Sequence, residues 1–183
     1  DMGPSAIHLA GLKAGVESLG ISVADNFALG VRSQEMLQPG DERARFLPEI
    51  TQVCGRLADR VEAALEAGHL PVVLGGDHSV AIGTISGIAR HYRKKGQRIG
   101  VLWADAHTDV NTPDSSPSGN IHGMPLAVLL GEGPAPLVRI AGDEPALRPE
   151  DVCVIGARDV DLTERSVVSK LKLRVYTMSE LDE

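Results

Sequence analysis

The sequence lacks an excess of positive charge, long hydrophobic runs and closely spaced cysteines, and each absence excludes a class of protein. Lys and Arg number 18 against 25 Asp and Glu, which gives a net charge of −7, so binding to nucleic-acid phosphates is not expected. The longest apolar stretches, residues 70–74 and 99–104, are far short of the roughly 20 residues that cross a bilayer. We therefore expect neither nucleic acid nor a membrane as a partner.

The cysteines suggest neither a disulfide framework nor a structural zinc cage. Cys54 and Cys153 each lie within an apolar pattern and have no CxxC spacing, which favours buried free thiols. The first residues also lack the positively charged region followed by an apolar one that a secretory signal needs. We therefore expect a reducing, cytoplasmic location.

Length and composition indicate a soluble globular protein. The chain has 183 residues, of which 43% are hydrophobic and 23% charged, and one domain typically takes about 150 residues. Both ends differ from a complete α/β unit, because no strand precedes a helix from Pro4 to Leu19, and Ser179 with Asp182 resembles a helix cap without its helix. We expect residues 1–183 to form a single incomplete domain.

Apolar runs of strand length alternate with segments of helical period, which predicts an α/β fold with a mainly parallel sheet. The predicted strands are residues 21–24, 71–74, 99–104, 152–156 and 173–177. The predicted helices are residues 50–65, ended by Gly68, residues 80–92, and shorter ones after Gly123 and Leu162. Residues 131–149 are rich in Gly and Pro and are interpreted as a surface connection.

The segment Asp105-Ala106-His107-Thr108-Asp109 directly follows a predicted buried strand. Residues two apart share a face of an extended chain, so Asp105, His107 and Asp109 can converge on one region. Carboxylates gathered at the carboxyl end of a parallel strand, where open α/β sheets bind ligands, are costly unless a cation neutralises them. The pattern favours a metal site, and a solvated polar turn is the alternative.

The segment Gly75-Gly76-Asp77-His78-Ser79 follows the preceding predicted strand and opens the next helix, so His78 is expected at the same edge of the sheet. Imidazole and carboxylate together suit Mn, Zn, Fe or Co, and the lack of nearby cysteine argues against structural zinc. Alone, the segment also fits a helix start capped by Asp77 or Ser79, or a glycine turn that approaches a phosphate. The phosphate interpretation is weak because both GxGxxG spacing and a GK[ST] ending are missing.

The residues from Asn111 to Gly123 form a loop that is too long and too polar for a simple connection. The loop offers amide and hydroxyl groups and one histidine, His122, which can titrate near neutrality. These groups suit a loop that binds a substrate, and a mobile surface loop is the alternative.

A last motif, GARDVD at residues 156–161, also lies at the end of a predicted strand. Asp161 in this motif can receive a cationic group of a ligand. A capping or salt-bridging role fits the same position equally well, so both interpretations remain open at this point.

Taken in order, GGDHS, DAHTD, NTPxxxxSGNxHG and GxRDVD resemble the motifs of the ureohydrolase family, most closely those of its arginine-hydrolysing members. The resemblance extends from Met2 almost to the last residue. It implies an α/β fold of three layers, αβα, around a mainly parallel sheet, here truncated, with two Mn²⁺ ions in each subunit of the complete enzyme. It also implies a homo-oligomer, a trimer or a hexamer.

Carried over residue by residue, the resemblance implies a set of metal ligands. His78, Asp105 and Asp109 would bind one Mn²⁺ ion, and Asp105 would bridge to the second, which His107 also binds. His122 would be the proton shuttle. In the family a later DxD pair completes both metal sites, and this chain ends before that pair.

The resemblance also implies which residues hold the substrate. Those expected around the α-carboxylate of L-arginine are Asn111, Ser116, Ser118 and Asn120, and those near its α-amino group are Asp161 and, less directly, Glu164. Asp159 and Asp161 also spell DxD, but they belong to the GxRDVD motif and are not expected to bind metal.

The resemblance therefore implies hydrolysis of L-arginine to L-ornithine and urea by a metal-bridging hydroxide. Asp109 would accept a hydrogen bond from the hydroxide, and His122 would relay a proton to the departing ornithine nitrogen. Another guanidino hydrolase, agmatinase or guanidinobutyrase, is the nearest alternative. A catalytically silent metal-binding fragment and a nucleotide-binding protein are the others.

Overall fold

A parallel sheet organises this computed structural model, which describes residues 2–182. The strands are β1 (Val101–Ala104), β2 (Val152–Ala157) and β3 (Arg174–Thr177), and they lie in that order. Trp103 pairs with Val154 and Val154 with Val175, so one face of the sheet presents these side chains to the core. Parallel pairing places the carboxyl ends of the strands at one edge, as predicted for an α/β fold.

The helices lie between and before these strands. They are α1 (Gly3–Leu9), α2 (Leu12–Ser18), α3 (Leu47–Glu66), α4 (Val80–Arg93), α5 (Pro125–Leu129), α6 (Ala135–Val138), α7 (Leu162–Leu171) and α8 (Met178–Leu181). The helices predicted over residues 50–65 and 80–92 are confirmed as α3 and α4, and the two short ones as α5 and α7. No helix among residues 2–182 has both the length and the apolar character needed to pass through a lipid bilayer.

Helices α3 and α4 approach each other closely because α4 lacks side chains at the contact. A Cβ added at Gly83 would lie 2.6 Å from the Cys54 carbonyl oxygen, and one added at Gly87 would overlap the Ala58 carbonyl oxygen. Only glycine leaves room for this separation of the two backbones. The close contact sets the position of the amino end of α4, where His78 lies.

Two apolar clusters connect the helices to the sheet and to the loops at its edge. The first includes Trp103, Val154, Leu126 and Leu129. The second includes Cys54, Ile82, Ile121 and Met124. Because Ile121 is fully buried, the segment that carries His122 is anchored in the core.

Two of the predicted strands are not strands in the structure. Residues 21–24 and 71–74 form no ladder with a described segment, and Ile21 and Val72 are exposed. A strand needs a neighbouring backbone as well as apolar, β-branched residues, and the sequence pattern reports only the second requirement. The other predicted strands are confirmed, with ends shifted by one or two residues.

The helix predicted near each end of the chain also differs. The first is interrupted at Gly11, which adopts φ +93° between α1 and α2. Near the other end the cap is Thr177, because its hydroxyl accepts the Glu180 N–H and the Glu180 carboxylate accepts the Thr177 N–H. The pattern at Ser179 and Asp182 resembled this capping box but lies inside and after α8.

Two expectations about burial need correction. Residues 131–149 are more than a surface connection, because they contain α6 and the buried side chains of Leu137 and Leu147; Gly and Pro indicate turns, which need not be exposed. Cys153 is only partly buried, whereas Cys54 is buried as predicted, and desolvation raises the pKa of the Cys54 thiol to about 12.

We expect Gly87→Ala to destabilise the protein, since its Cβ would meet a backbone oxygen that cannot rotate away. Overpacking of this kind costs about 1–3 kcal/mol. Gly55→Ala in α3 is the matched control, because the space around Gly55 is open and alanine in a helix gains about 0.5–1 kcal/mol over glycine. The urea concentration at the midpoint of unfolding measures the stability of both variants, and equal midpoints would contradict this description of the α3–α4 contact.

Candidate active site

The candidate site lies where the chain leaves β1. The Asp105 N–H donates to the Ile155 carbonyl at 3.1 Å, which continues the pairing of β1 with β2. The N–H groups of Arg158 and Asp159 both donate to the Ala106 carbonyl, at 2.9 and 3.0 Å. The turn after β1 is therefore fixed by the turn after β2, at the edge where parallel sheets bind ligands.

His78, Asp105 and Asp109 form a cluster at this edge. His78 Nδ1 lies 2.6 Å from Asp109 Oδ2 and 3.1 Å from Asp105 Oδ2. One ligand atom from each residue lies within 4.8 Å of the other two, and Asp109 is only 5% exposed. The segment before α4 therefore does meet the turn after β1, as the sequence predicts.

The two carboxylates of this cluster favour the protonated form of His78. A hydrogen bond to Asp109 raises the pKa of His78 although partial burial opposes its protonation, and the negative charges of Asp109, Asp105 and Asp77 raise it further. The two carboxylates of the cluster thus attract a positive charge to the place where His78 lies. A divalent cation meets the same electrostatic requirement with more charge.

A turn, and not an extended chain, brings Asp105 and Asp109 together. Asp105 Oδ1 accepts the His107 N–H at 2.9 Å. Asp109 adopts φ +51°, a left-handed conformation that Asp tolerates better than most residues. Its carbonyl accepts the N–H groups of Leu126 and Ala127 at the start of α5, at 3.0 and 3.2 Å. The prediction that residues 105–109 form an extended segment with alternating faces is therefore wrong, because these hydrogen bonds bend the chain into a turn.

The donor set of the cluster fits a divalent transition metal. One imidazole and two carboxylates are ligands that Mn, Zn, Fe and Co accept. A cation would also offset the mutual repulsion of the two partly or fully buried carboxylates. Within residues 2–182, this is the one group of three or more such side chains whose ligand atoms converge.

His107 lies beside this group and contacts Asp105 from the other side. Its Nδ1 is 3.2 Å from Asp105 Oδ1, its Nε2 is 3.5 Å from Asp159 Oδ2, and its side chain is half exposed. His78 approaches the other oxygen, Oδ2, of Asp105. Asp105 thus lies between two imidazoles, one beside each of its carboxylate oxygens.

Trp103 belongs to the site although it lies outside the four sequence motifs. Its ring stacks on the His78 ring with centroids 4.4 Å apart and an angle of 29° between the planes. Trp103 is buried beneath the site, so the indole fixes the plane of the imidazole. A signal was present in the sequence, since Trp103 precedes Asp105 by two residues and side chains two apart share a face of a strand.

The other residues of the GGDHS segment serve local structure. A Cβ at Gly75 would lie 2.5 Å from the Val80 side chain, so glycine is needed for packing against α4. Asp77 Oδ1 accepts the Ser79 N–H at 2.9 Å, which forms the turn before the helix. Packing thus accounts for Gly75 without a phosphate ligand.

Asn111 starts the polar loop, and both the nitrogen and the oxygen of its side-chain amide are hydrogen-bonded. Its Nδ2 donates to Asp161 Oδ2 at 3.1 Å, and its Oδ1 accepts from Ser115 Oγ at 2.8 Å. Asn111 is buried. The structure therefore brings together Asn111 and Asp161, two of the residues predicted to bind substrate.

The remaining loop residues lie nearer the surface. Ser116 Oγ accepts the Gly119 N–H at 3.0 Å, and Ser118 Oγ accepts the Asn120 N–H at 3.2 Å. Asn120 is partly buried, and His122 is exposed on the turn that follows. The hydroxyls thus shape the loop, and the His122 imidazole is open to solvent.

Asp161 is the N-cap of α7, which confirms the capping alternative. Its Oδ1 accepts the Glu164 N–H at 2.7 Å. Burial opposes ionisation of Asp161, but hydrogen bonds from Thr163, from the Glu164 backbone and from Asn111 outweigh it and lower the Asp161 pKa. Glu164 is buried, and its carboxylate accepts from the Asp161 N–H and from Thr108 Oγ1.

These features define an α/β protein with a candidate metal cluster at the carboxyl edge of a parallel sheet. A sequence model of the Arginase family matches residues 1–183. The chain belongs to the arginase family, which confirms the resemblance to the ureohydrolases.

Known arginases match the chain along its whole length. It is 44% identical to arginases from Bacillus caldovelox and Bacillus subtilis, over 100% of this chain and 60% of each relative. The solved arginase from Bacillus cereus has a TM-score of 0.90 and 42% identity, and that from Entamoeba histolytica in complex with L-ornithine has 0.86 and 33%. Each alignment covers 99% of this chain and 59% of the other. The αβα fold is confirmed over this part, and the chain spans about three fifths of its relatives' length.

We expect Gly119→Ala to loosen the polar loop. Gly119 adopts φ +67°, and its Cβ would overlap the Glu42 carbonyl oxygen. The same turn of chain holds Gly119, because the Arg45 N–H donates to the Gly119 carbonyl at 2.9 Å. Gly96→Ala is the matched control, since Gly96 has the same φ with open space around it and loses only the left-handed penalty of about 1–2 kcal/mol. Hydrogen exchange should accelerate over residues 111–123 in Gly119→Ala alone, and equal exchange in both variants would disprove the close contact.

Proposed function

We propose that this chain is the metal- and substrate-binding part of an arginase, which hydrolyses L-arginine to L-ornithine and urea with Mn²⁺. The proposal is carried by the convergence of His78, Asp105 and Asp109 at the sheet edge of an arginase-family chain. Because the chain spans about three fifths of its relatives, the activity is proposed for the enzyme as a whole. Family membership also supports a cytoplasmic homo-oligomer, a trimer or a hexamer.

In this proposal the edge of the sheet holds a pair of Mn²⁺ ions. His78, Asp105 and Asp109 would hold one ion, and Asp105 and His107 would hold the other. The support is the position of the two imidazoles on opposite oxygens of Asp105. When bound, divalent ions would supply activated water at neutral pH, since they lower its pKa towards neutrality.

Two side chains handle the protons of the reaction. Guanidinium is a poor electrophile, so the attacking water must be well oriented and the leaving amine must gain a proton. Asp109 accepts a hydrogen bond from the attacking water, and its burial and fixed backbone hold its direction. His122 is exposed at the end of the loop, where its imidazole can take a proton from solvent and deliver it to the ornithine nitrogen.

The polar loop and the start of α7 hold the amino-acid end of the substrate. The α-carboxylate is bound by Asn111, Ser116, Ser118 and Asn120, and the α-ammonium by Asp161 with Glu164 behind it. The lowered pKa of Asp161 supports this role, because it keeps the carboxylate charged for a cation. The related Entamoeba histolytica arginase was solved with L-ornithine, which has the same α-carboxylate and α-ammonium groups as L-arginine.

Trp103 provides a direct measure of metal binding, because it is the single tryptophan of the sequence and stacks on His78. We expect added Mn²⁺ to change its fluorescence in a saturable way. His78→Asn should weaken Mn²⁺ binding because one of three ligands is lost, whereas His69→Asn, at an exposed position away from the cluster, should not. Equilibrium dialysis measures both affinities, since His78→Asn also removes the ring that stacks on Trp103. Unaltered Mn²⁺ affinity in His78→Asn would refute the ligand assignment.

Urea release from L-arginine tests the activity in the complete enzyme. We expect His122→Asn to lower kcat about 10²- to 10⁴-fold, the usual contribution of general acid–base catalysis, while the Mn²⁺ content stays the same. Agmatine, which lacks the α-carboxylate, should give a much lower kcat/KM than L-arginine because the loop groups are left unpaired. Loss of Mn²⁺ in His122→Asn would oppose the proton-shuttle role, and equal kcat/KM values would favour the agmatinase alternative.

A further inference from the structure

Thr108 and Glu164 make a buried contact that the proposed reaction does not use. Thr108 Oγ1 donates to Glu164 Oε1 at 2.9 Å, between residues 56 positions apart in the sequence. Thr108 is 0% exposed and Glu164 is 5% exposed. A carboxylate is costly to bury unless its oxygens accept hydrogen bonds, so this placement needs a structural reason.

The protein itself uses both oxygens of Glu164. While Oε1 accepts from Thr108, Oε2 accepts the Asp161 N–H at 3.3 Å and closes the capping box of α7. The amino end of the helix adds a favourable potential for the negative charge. A direct contact of Glu164 with a substrate would break this arrangement, so its geometry suits support of its neighbours.

One of the groups supported in this way is the backbone of Asp109. Thr108 directly precedes Asp109, whose left-handed φ of +51° is sparsely populated by residues other than glycine. The N–H groups of Leu126 and Ala127 hold the Asp109 carbonyl on the following side. On the preceding side, the buried hydroxyl of Thr108 is the hydrogen-bonded anchor. Asp109 thus keeps its direction because it is fixed from both sides.

We propose that Glu164 is a positioning residue, which acts through Thr108 to orient Asp109 toward the metal cluster. The same capping box holds Asp161, so one buried carboxylate connects the site proposed for the α-ammonium group with a proposed metal ligand. This inference rests on the proposed function and adds a role for Glu164 in orienting a metal ligand that it does not itself contact.

Thr108→Val tests the proposal, because it keeps the shape of the side chain and removes the hydroxyl. We expect the Mn²⁺ affinity of the complete enzyme, measured by equilibrium dialysis, to fall about 10- to 100-fold, the usual effect of removing a partner of a metal ligand. For L-arginine kcat should fall while KM changes little, because Asp109 and not the amino-acid pocket is disturbed. In the metal-free protein, hydrogen exchange of the Asn111 backbone N–H, which donates to the Gly123 carbonyl, should accelerate.

Two further variants separate positioning from stability. Thr108→Ser restores the hydroxyl and should return the Mn²⁺ affinity close to that of the wild type. Thr84→Val removes a comparable hydroxyl bond, from Thr84 Oγ1 to the Val80 carbonyl at 2.9 Å in α4, and should leave the Mn²⁺ affinity unchanged. If Thr108→Val does not fold, Thr108→Ala gives the same test, because alanine also lacks the hydroxyl that donates to Glu164, and Mn²⁺ affinity should again fall.

The possible results distinguish this inference from the proposed function. Wild-type Mn²⁺ affinity in Thr108→Val, or in Thr108→Ala where that variant takes its place, would overturn the positioning role. A lower melting temperature with unchanged affinity would overturn it as well, because the contact would then serve stability alone. A wild-type enzyme that neither binds Mn²⁺ nor releases urea would overturn the proposed function itself.

Discussion

The site depends on the electrostatic repulsion between Asp105 and Asp109. Pairing with β2 fixes the backbone of the first residue, and hydrogen bonds to α5 fix the backbone of the second, so the two carboxylates are held in the same region. A positively charged group must therefore lie close to the two carboxylates. His78, which precedes α4, can supply this charge, and the attraction of its protonated form to the carboxylates raises its pKa. The close α3–α4 contact and the Trp103 stack place His78 where this charge is needed.

The parts of the fold that follow from local pattern could be predicted from the sequence. Helices α3 and α4 are defined by apolar residues at helical spacing, and both lie where that spacing places them. The meeting of His78 with the turn after β1 could also be predicted, because the carboxyl ends of parallel strands share one edge. The GGDHS and DAHTD segments were informative because each directly follows an apolar run.

The parts that depend on distant partners could not be predicted in this way. Residues 21–24 have a strand pattern, but pairing needs a neighbouring backbone that the pattern does not identify. The left-handed turn at Asp109 depends on hydrogen bonds to α5. The contact of Thr108 with Glu164 joins two segments that only the folded chain brings together, and no spacing rule connects a threonine to a glutamate so far along the sequence.

The most direct test of the electrostatic requirement is anomalous X-ray diffraction from crystals grown with Mn²⁺. A strong anomalous peak should lie between His78 Nδ1 and the carboxylates of Asp105 and Asp109, with His78 Nδ1 directed at the peak in place of its present contact with Asp109. If Mn²⁺ bound elsewhere on the protein while His78 stayed hydrogen-bonded to Asp109, the imidazole alone would balance these carboxylates and the metal site would be disproved.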